Sequence, residues 1–169
     1  MTGIAHIFSI LALIGFIASF VAHLGGYAGV ERPFGLNPWP LHAGIFVVWI
    51  PAVFAVMKLS QDFPQKDLWK ATLRGCPKWM RYVLYCVFGY AFLSFFAFFL
   101  SVDSPENEAN TVRGFSGHWL IFYYAAFVIL RSYINVSKND TMRRCKNLHI
   151  VEPSHIHCPV CGEYVGREY

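Results

Sequence analysis

The chain has 169 residues, of which 56% are hydrophobic, 18% aromatic and 14% charged, and its net charge is +4. A soluble domain usually carries about 25% charged residues, so this composition excludes a soluble globular protein. The basic residues flank apolar stretches, where membrane topology accounts for them, and we therefore expect no nucleic-acid partner. The five cysteines are an odd number, which argues against a pure disulfide framework.

The first predicted element is a transmembrane helix over Ile4–Leu24. A helix needs about 20 apolar residues to cross a bilayer, and this run is longer than the apolar core of a signal peptide, about 7–15 residues. We therefore expect a retained anchor rather than a signal peptide. A Gly/Pro-rich loop leads to the second predicted span, Trp39–Met57, which begins with the prolines that a first helical turn tolerates.

The second loop is basic and contains a predicted amphipathic helix over Gln65–Arg74. Leu68, Trp69 and Leu73 are predicted on one side of it, with basic residues on another. This pattern suits a helix lying on an anionic membrane surface, and a solvated connecting loop is the alternative. The third predicted span is Tyr82–Val102, and the fourth covers residues 115–134.

These elements predict an all-α integral membrane protein. Residues 1–134 are expected to form a four-transmembrane-helix bundle, and residues 135–169 a short cytoplasmic tail with a zinc-knuckle-like Cys/His motif. Lys and Arg residues concentrate in the second loop and the tail, whereas the first and third loops carry Arg32 and Arg113 alone. The positive-inside rule then places both termini in the cytoplasm, in a plasma or inner membrane.

The tail contains the spacing typical of a metal site. Cys158-Pro-Val-Cys161-Gly162 resembles the metal-binding knuckle of zinc-ribbon and rubredoxin-type proteins, a resemblance that covers five residues. One knuckle supplies two ligands, whereas a structural zinc site needs four. The predicted set is Cys145, His149, Cys158 and Cys161, with His155 and His157 as alternatives for the histidine. Zinc is the expected ion, because thiols stay reduced in the cytoplasm; iron or redox ligation and no bound metal are the alternatives.

A second candidate site follows from the predicted topology. His23, His42 and His118 each lie within about one helical turn of the outer interface, where Asp103 also falls. Imidazoles at one depth can hold a transition metal or provide the axial ligands of a haem. The simpler interpretation is that each is an interfacial anchor or makes a hydrogen bond between helices.

Three functions compete at this stage. The first is a small structural or regulatory membrane subunit, not an enzyme, whose zinc-stapled tail docks a protein partner or a second copy. The second is a membrane redox or metal-handling protein that uses the outer histidines. The third is a small transporter or channel component. No catalytic triad, phosphate loop or HExxH motif occurs in the sequence, and we therefore expect no catalytic residues.

Overall fold

The structure is a computed structural model that describes residues 2–61, 63–100, 108–139, 143–147, 149–151 and 155–165. It contains five α-helices, namely α1 (Thr2–Tyr27), α2 (Pro40–Ser60), α3 (Leu68–Leu73), α4 (Lys78–Leu100) and α5 (Glu108–Asn139), two short 3-10 turns (Pro33–Gly35 and Gln65–Asp67) and two short strands, β1 (Arg143–Arg144) and β2 (Ile150–Val151). The chain forms two compact units, Met1–Asn135 and Val136–Tyr169.

The prediction of four apolar helices long enough to cross a membrane is confirmed for α1, α2, α4 and α5. Each runs beyond its predicted bounds at one end or both. The largest difference is in α5, which begins at Glu108 instead of residue 115. Its first turns are polar, so a hydropathy window does not detect them although the backbone is already helical.

Helix α5 is the most buried of the four. Of the apolar 18-residue stretch within Thr111–Ser137, 56% is buried, compared with 28% for the corresponding stretches of α1 and α2 and 17% for that of α4. Trp119, Ala126 and Ile134 on α5 pack into one apolar cluster with residues of α1 and α2. Tyr124 and Val128 pack into a second cluster with Leu84 of α4. The other long helices are therefore arranged around α5.

Helix α1 buries small side chains and exposes large ones. Apart from His23, every buried residue on it is an alanine, serine or glycine, namely Ala5, Ser9, Ala12, Gly15, Ser19, Ala22 and Gly26. These recur every three or four residues and form one face, whereas Ile7, Ile10 and Ile14 face outward. Small residues allow helix backbones to approach closely, as is typical of helix packing in membranes.

Tyr123 of α5 shows how tight this packing is. A Cβ atom added at Gly15 of α1 would collide with the Tyr123 ring, and one added at Gly44 of α2 would collide with its hydroxyl. The same hydroxyl donates a hydrogen bond of 2.8 Å to the carbonyl oxygen of Leu41. The two glycines thus make room for one side chain that joins three helices.

The segment after α3 is hydrogen-bonded to α5. The backbone N–H of Gly75 donates to the hydroxyl of Ser132 at 3.0 Å, and the amide of Asn135 donates to the carbonyl of Gly75 at 3.0 Å. The Cys76 thiol lies 3.1 Å from the carbonyl oxygen of Val128, and burial raises the pKa of this thiol. The second loop is therefore fixed to the central helix.

The predicted helix over Gln65–Arg74 is shorter in the structure. Residues 65–67 form a 3-10 turn, and the α-helix is limited to Leu68–Leu73. Leu73 is buried, Leu68 half-buried and Trp69 61% exposed. That this helix lies on a membrane surface stays a prediction.

Candidate metal centre

The first half of the site is a tight turn between two short strands. Strands β1 and β2 pair antiparallel, with Arg144 opposite Ile150. The turn between them is closed by the backbone N–H of Cys145, which donates to the carbonyl oxygen of His149 at 3.1 Å. Because this turn is short, the side chains of Cys145 and His149 come together on one side of it.

The second half is the turn that contains Cys158 and Cys161. The backbone N–H of Cys158 donates to the carbonyl of Glu163 at 2.7 Å, and that of Gly162 donates to the carbonyl of Cys158 at 2.8 Å. Gly162 has a φ of +72°, a left-handed conformation that glycine adopts without steric cost. A glycine at this position therefore allows the turn of the knuckle to close.

The four predicted ligands meet at one point. The ligand atoms of Cys145, His149, Cys158 and Cys161 all lie within 4.8 Å of one another. The Cys145 sulfur lies 3.6 Å from that of Cys161, and Nδ1 of His149 lies 3.5 Å from the Cys145 sulfur and 3.7 Å from the Cys158 sulfur. These residues can therefore hold a metal ion.

Some of the separations are those of a tetrahedral site. With Zn–S bonds of about 2.3 Å and Zn–N bonds of about 2.0–2.1 Å, tetrahedral angles put two sulfurs about 3.8 Å apart and a sulfur about 3.6 Å from a nitrogen. Three of the six separations between the ligand atoms lie within about 0.2 Å of these values, and all six are within 4.8 Å. Four protein ligands would fill the coordination shell, as in structural rather than catalytic zinc sites.

Local hydrogen bonds favour the thiolate form of Cys161. The backbone N–H of Glu163 and the ring of His149 hydrogen-bond the Cys161 sulfur and lower its pKa to about 6. Burial raises the pKa of Cys145, although the backbone N–H groups of His149 and Asn147 hydrogen-bond its sulfur and act in the opposite direction. Cys161 is thus the cysteine best prepared to bind a cation, because the thiolate is the metal ligand.

Glu163 joins the two turns. Its carboxylate accepts a hydrogen bond of 2.8 Å from the backbone N–H of Lys146, and it lies 3.9 Å from the ammonium group of the same lysine. The Lys146 side chain is 93% exposed, so this ion pair adds little stability. The hydrogen bond to the backbone is the more useful contact, because it fixes one turn relative to the other.

The alternative histidines of the tail lie outside the ligand group. His155 is exposed, and His157 is exposed and packs edge-on against Tyr164 at 5.4 Å between ring centroids. His157 and Tyr164 also form an isolated β-bridge. His149 is the histidine whose ring nitrogen lies with the sulfurs.

The outer histidines have separate environments. His23 is buried, with Nδ1 2.6 Å from the hydroxyl of Ser116 and Nε2 2.5 Å from that of Tyr90. The indole N–H of Trp119 donates to Nδ1 of His42 at 3.1 Å. Within the described residues, the tail set is the one group of three or more ligand side chains placed to share an ion. The outer metal centre and the haem remain untested predictions, and Asp103 lies outside the described residues.

The depth of His118 relative to the membrane interface stays a prediction. Helix α5 begins at Glu108, so His118 lies about 15 Å along it at 1.5 Å per residue. The hydroxyl groups around His23 were not predicted, since nothing in the spacing of Tyr90 and Ser116 shows that they meet this histidine.

No protein-family model, curated protein or solved structure matches the chain. Four helices are long and apolar enough to cross a membrane, and a Cys/His group near the C-terminus can hold a metal ion.

Proposed function

We propose that this chain is a small multi-pass membrane protein that acts as a structural or regulatory subunit. Its four long helices anchor a cytoplasmic tail, which a zinc ion holds in one conformation so that the tail can dock a protein partner. The observation that carries this proposal is the grouping of the Cys145, His149, Cys158 and Cys161 ligand atoms within 4.8 Å of one another, where they could hold a metal ion.

The membrane part of the proposal is supported by the distribution of side-chain sizes. Large apolar residues on the long helices face outward, including Ile14, Phe46, Phe54 and Leu93, whereas α1 buries small residues. In water this arrangement would be unfavourable, because large apolar side chains would stay exposed to solvent and their burial is the main stabilising contribution to folding. In a bilayer it is the expected one.

The docking part is supported by the surface of the tail. Ile156, Val160 and Tyr164 are all more than half exposed on the turn that contains the knuckle. Exposed apolar residues that cluster on a small module are typical of interaction sites. A tail of this size lacks a core large enough to hold these residues in fixed positions, so the metal would provide the rigidity that recognition needs.

The proposal is tested by site-specific photocrosslinking in cells. A photoreactive residue at Val160 is expected to crosslink to one defined protein, and the crosslink is expected to disappear in the Cys158→Ser chain. A photoreactive residue at Phe34, an exposed position in the first loop, serves as the control and should not respond to Cys158→Ser. An unchanged Val160 crosslink in the Cys158→Ser chain would show that zinc-dependent docking is wrong.

A further inference from the structure

A groove runs along α4 and α5 and is closed by Trp49 of α2 and Trp69 of α3. Its volume is about 610 Å³, within the range of about 300–1,000 Å³ that is usual for small-molecule sites. Its walls are mostly aromatic and aliphatic, and none of the described residues that line it is charged. An apolar pocket with few polar groups is the typical composition of a ligand site.

The groove follows α4 over several turns. Along α4 its lining runs from Leu84 to Phe95, which corresponds to roughly 16 Å of helix. His118 packs against Phe95 with 4.9 Å between ring centroids, so its imidazole marks the Phe95 end. Near Leu84 the lining is apolar apart from Tyr85, whose side chain carries a hydroxyl.

His118 differs from the other two outer histidines in its hydrogen bonding. Its Nδ1 atom is buried and has no hydrogen-bond partner among the described residues, whereas His23 and His42 are both hydrogen-bonded. A buried polar atom without a partner is destabilising, and such a group in an otherwise apolar membrane region is a candidate functional site. Because His118 also lines the groove, its imidazole is the hydrogen-bonding group that a ligand there would meet.

We propose that the groove binds a neutral lipophilic molecule with one hydrogen-bonding head group. The head would bond the imidazole of His118, and the apolar tail would lie along α4 toward Leu84. The absence of charge among the described lining residues disfavours phospholipid head groups and the propionates of a haem. Quinones with an alkyl or prenyl tail and long-chain alcohols share the chemistry that fits. The proposal goes beyond the role of the tail and does not depend on zinc.

The test measures ligand-dependent thermal unfolding of the full chain in phosphatidylcholine nanodiscs. Decylubiquinone, decanol and decane are titrated in parallel, because they share a ten-carbon tail and differ in the head. We expect saturable stabilisation by the quinone, with or without the alcohol, and none by the alkane. Stabilisation by the quinone alone would show that the site requires a carbonyl head group. Stabilisation by both the quinone and the alcohol would show that it accepts any hydrogen-bonding head group.

Variants then test the role of His118. His118→Leu is expected to weaken the apparent Kd about tenfold, as the loss of one hydrogen bond predicts, and His118→Gln should stay within about threefold of the parent. His6→Leu makes the same change on α1, outside the groove, and should have no effect. Equal stabilisation by decane, or an unchanged Kd in His118→Leu, would overturn the proposal. The comparison with decane uses the unaltered chain and decides the question even where a variant does not fold.

Discussion

Replacing Cys158 by serine is expected to abolish high-affinity zinc binding and to unfold the tail. The Cys158 side chain is 2% exposed, and its sulfur lies 3.7 Å from Nδ1 of His149, so it is an integral member of the ligand group. A serine hydroxyl keeps the size of the side chain but is not a thiolate. The substitution therefore removes one metal bond with little change in packing.

The magnitude follows from the coordination number. Structural zinc sites contribute about 10–16 kcal/mol of apparent binding free energy at neutral pH, so each of four ligands accounts for roughly 3 kcal/mol. That corresponds to a zinc affinity roughly 100-fold weaker or more. Among the described tail residues, the buried set is limited to Cys145, Val151 and Cys158. Burial of one valine contributes about 1.5–3 kcal/mol, comparable with the entropy cost of ordering one or two residues, so the tail cannot remain folded without the ion.

Two assays measure these effects on the purified full chain. Competition with a chromophoric chelator gives the zinc affinity, with one ion per chain expected for the parent. Limited trypsin digestion follows cleavage after Lys146, which lies inside the Cys145–His149 turn and has an exposed side chain. Cleavage there is expected to accelerate in Cys158→Ser and in the chelator-treated parent.

Cys86→Ser is the matched control, because Cys86 is an exposed cysteine on α4 and is not a member of the Cys/His group. It should retain both zinc and the slow digestion pattern. The reasoning is refuted if Cys158→Ser binds zinc within about threefold of the parent affinity, or if its digestion after Lys146 is no faster.

Two further predictions concern the helices and the thiols. Gly15→Leu is expected to lower the free energy of unfolding by about 1–3 kcal/mol, because the new side chain would overpack against Tyr123. Gly89→Leu is the control and should be neutral, because a side chain at Gly89 would point into open space. Unfolding in SDS measures both variants, and equal midpoints would contradict the prediction. In the zinc-free chain the thiols of the tail should be alkylated faster than Cys76, because the tail unfolds and exposes them, whereas Cys76 stays buried and burial raises its pKa. Peptide masses after a short iodoacetamide pulse give the order, and faster labelling of Cys76 would count against it.

The number of long apolar helices was predictable, because the hydropathy of each segment depends only on its own residues. The rotation of each helix about its axis was not predictable, since it depends on which faces of neighbouring helices meet. The sequence does contain one unused signal for α1, where Ala5, Ser9, Ala12 and Gly15 recur every three or four residues. That spacing identifies a close-packing face. The start of α5 was missed because its polar first turns are helical without being apolar.

The tail ligands were predictable for a different reason. Cys158 and Cys161 lie within one turn of chain, as do Cys145 and His149, and local spacing nearly fixes the distance between such side chains. Only the meeting of the two turns is a longer-range event, and it joins segments about ten residues apart. The outer histidines come from helices far apart in sequence, so agreement in depth carried little information about contact.

The three outer histidines were predicted to lie at one depth, but they differ in their hydrogen-bond partners. In an apolar environment a polar side chain pairs with the nearest available group, and His23 meets two hydroxyls while His42 accepts from an indole. Those two contacts join helices, as the simpler interpretation of these histidines predicts. His118 lines the groove with a buried nitrogen that has no partner in the described part of the chain. Because His118 is the one of the three that lines the groove, it is the place to look for a ligand there.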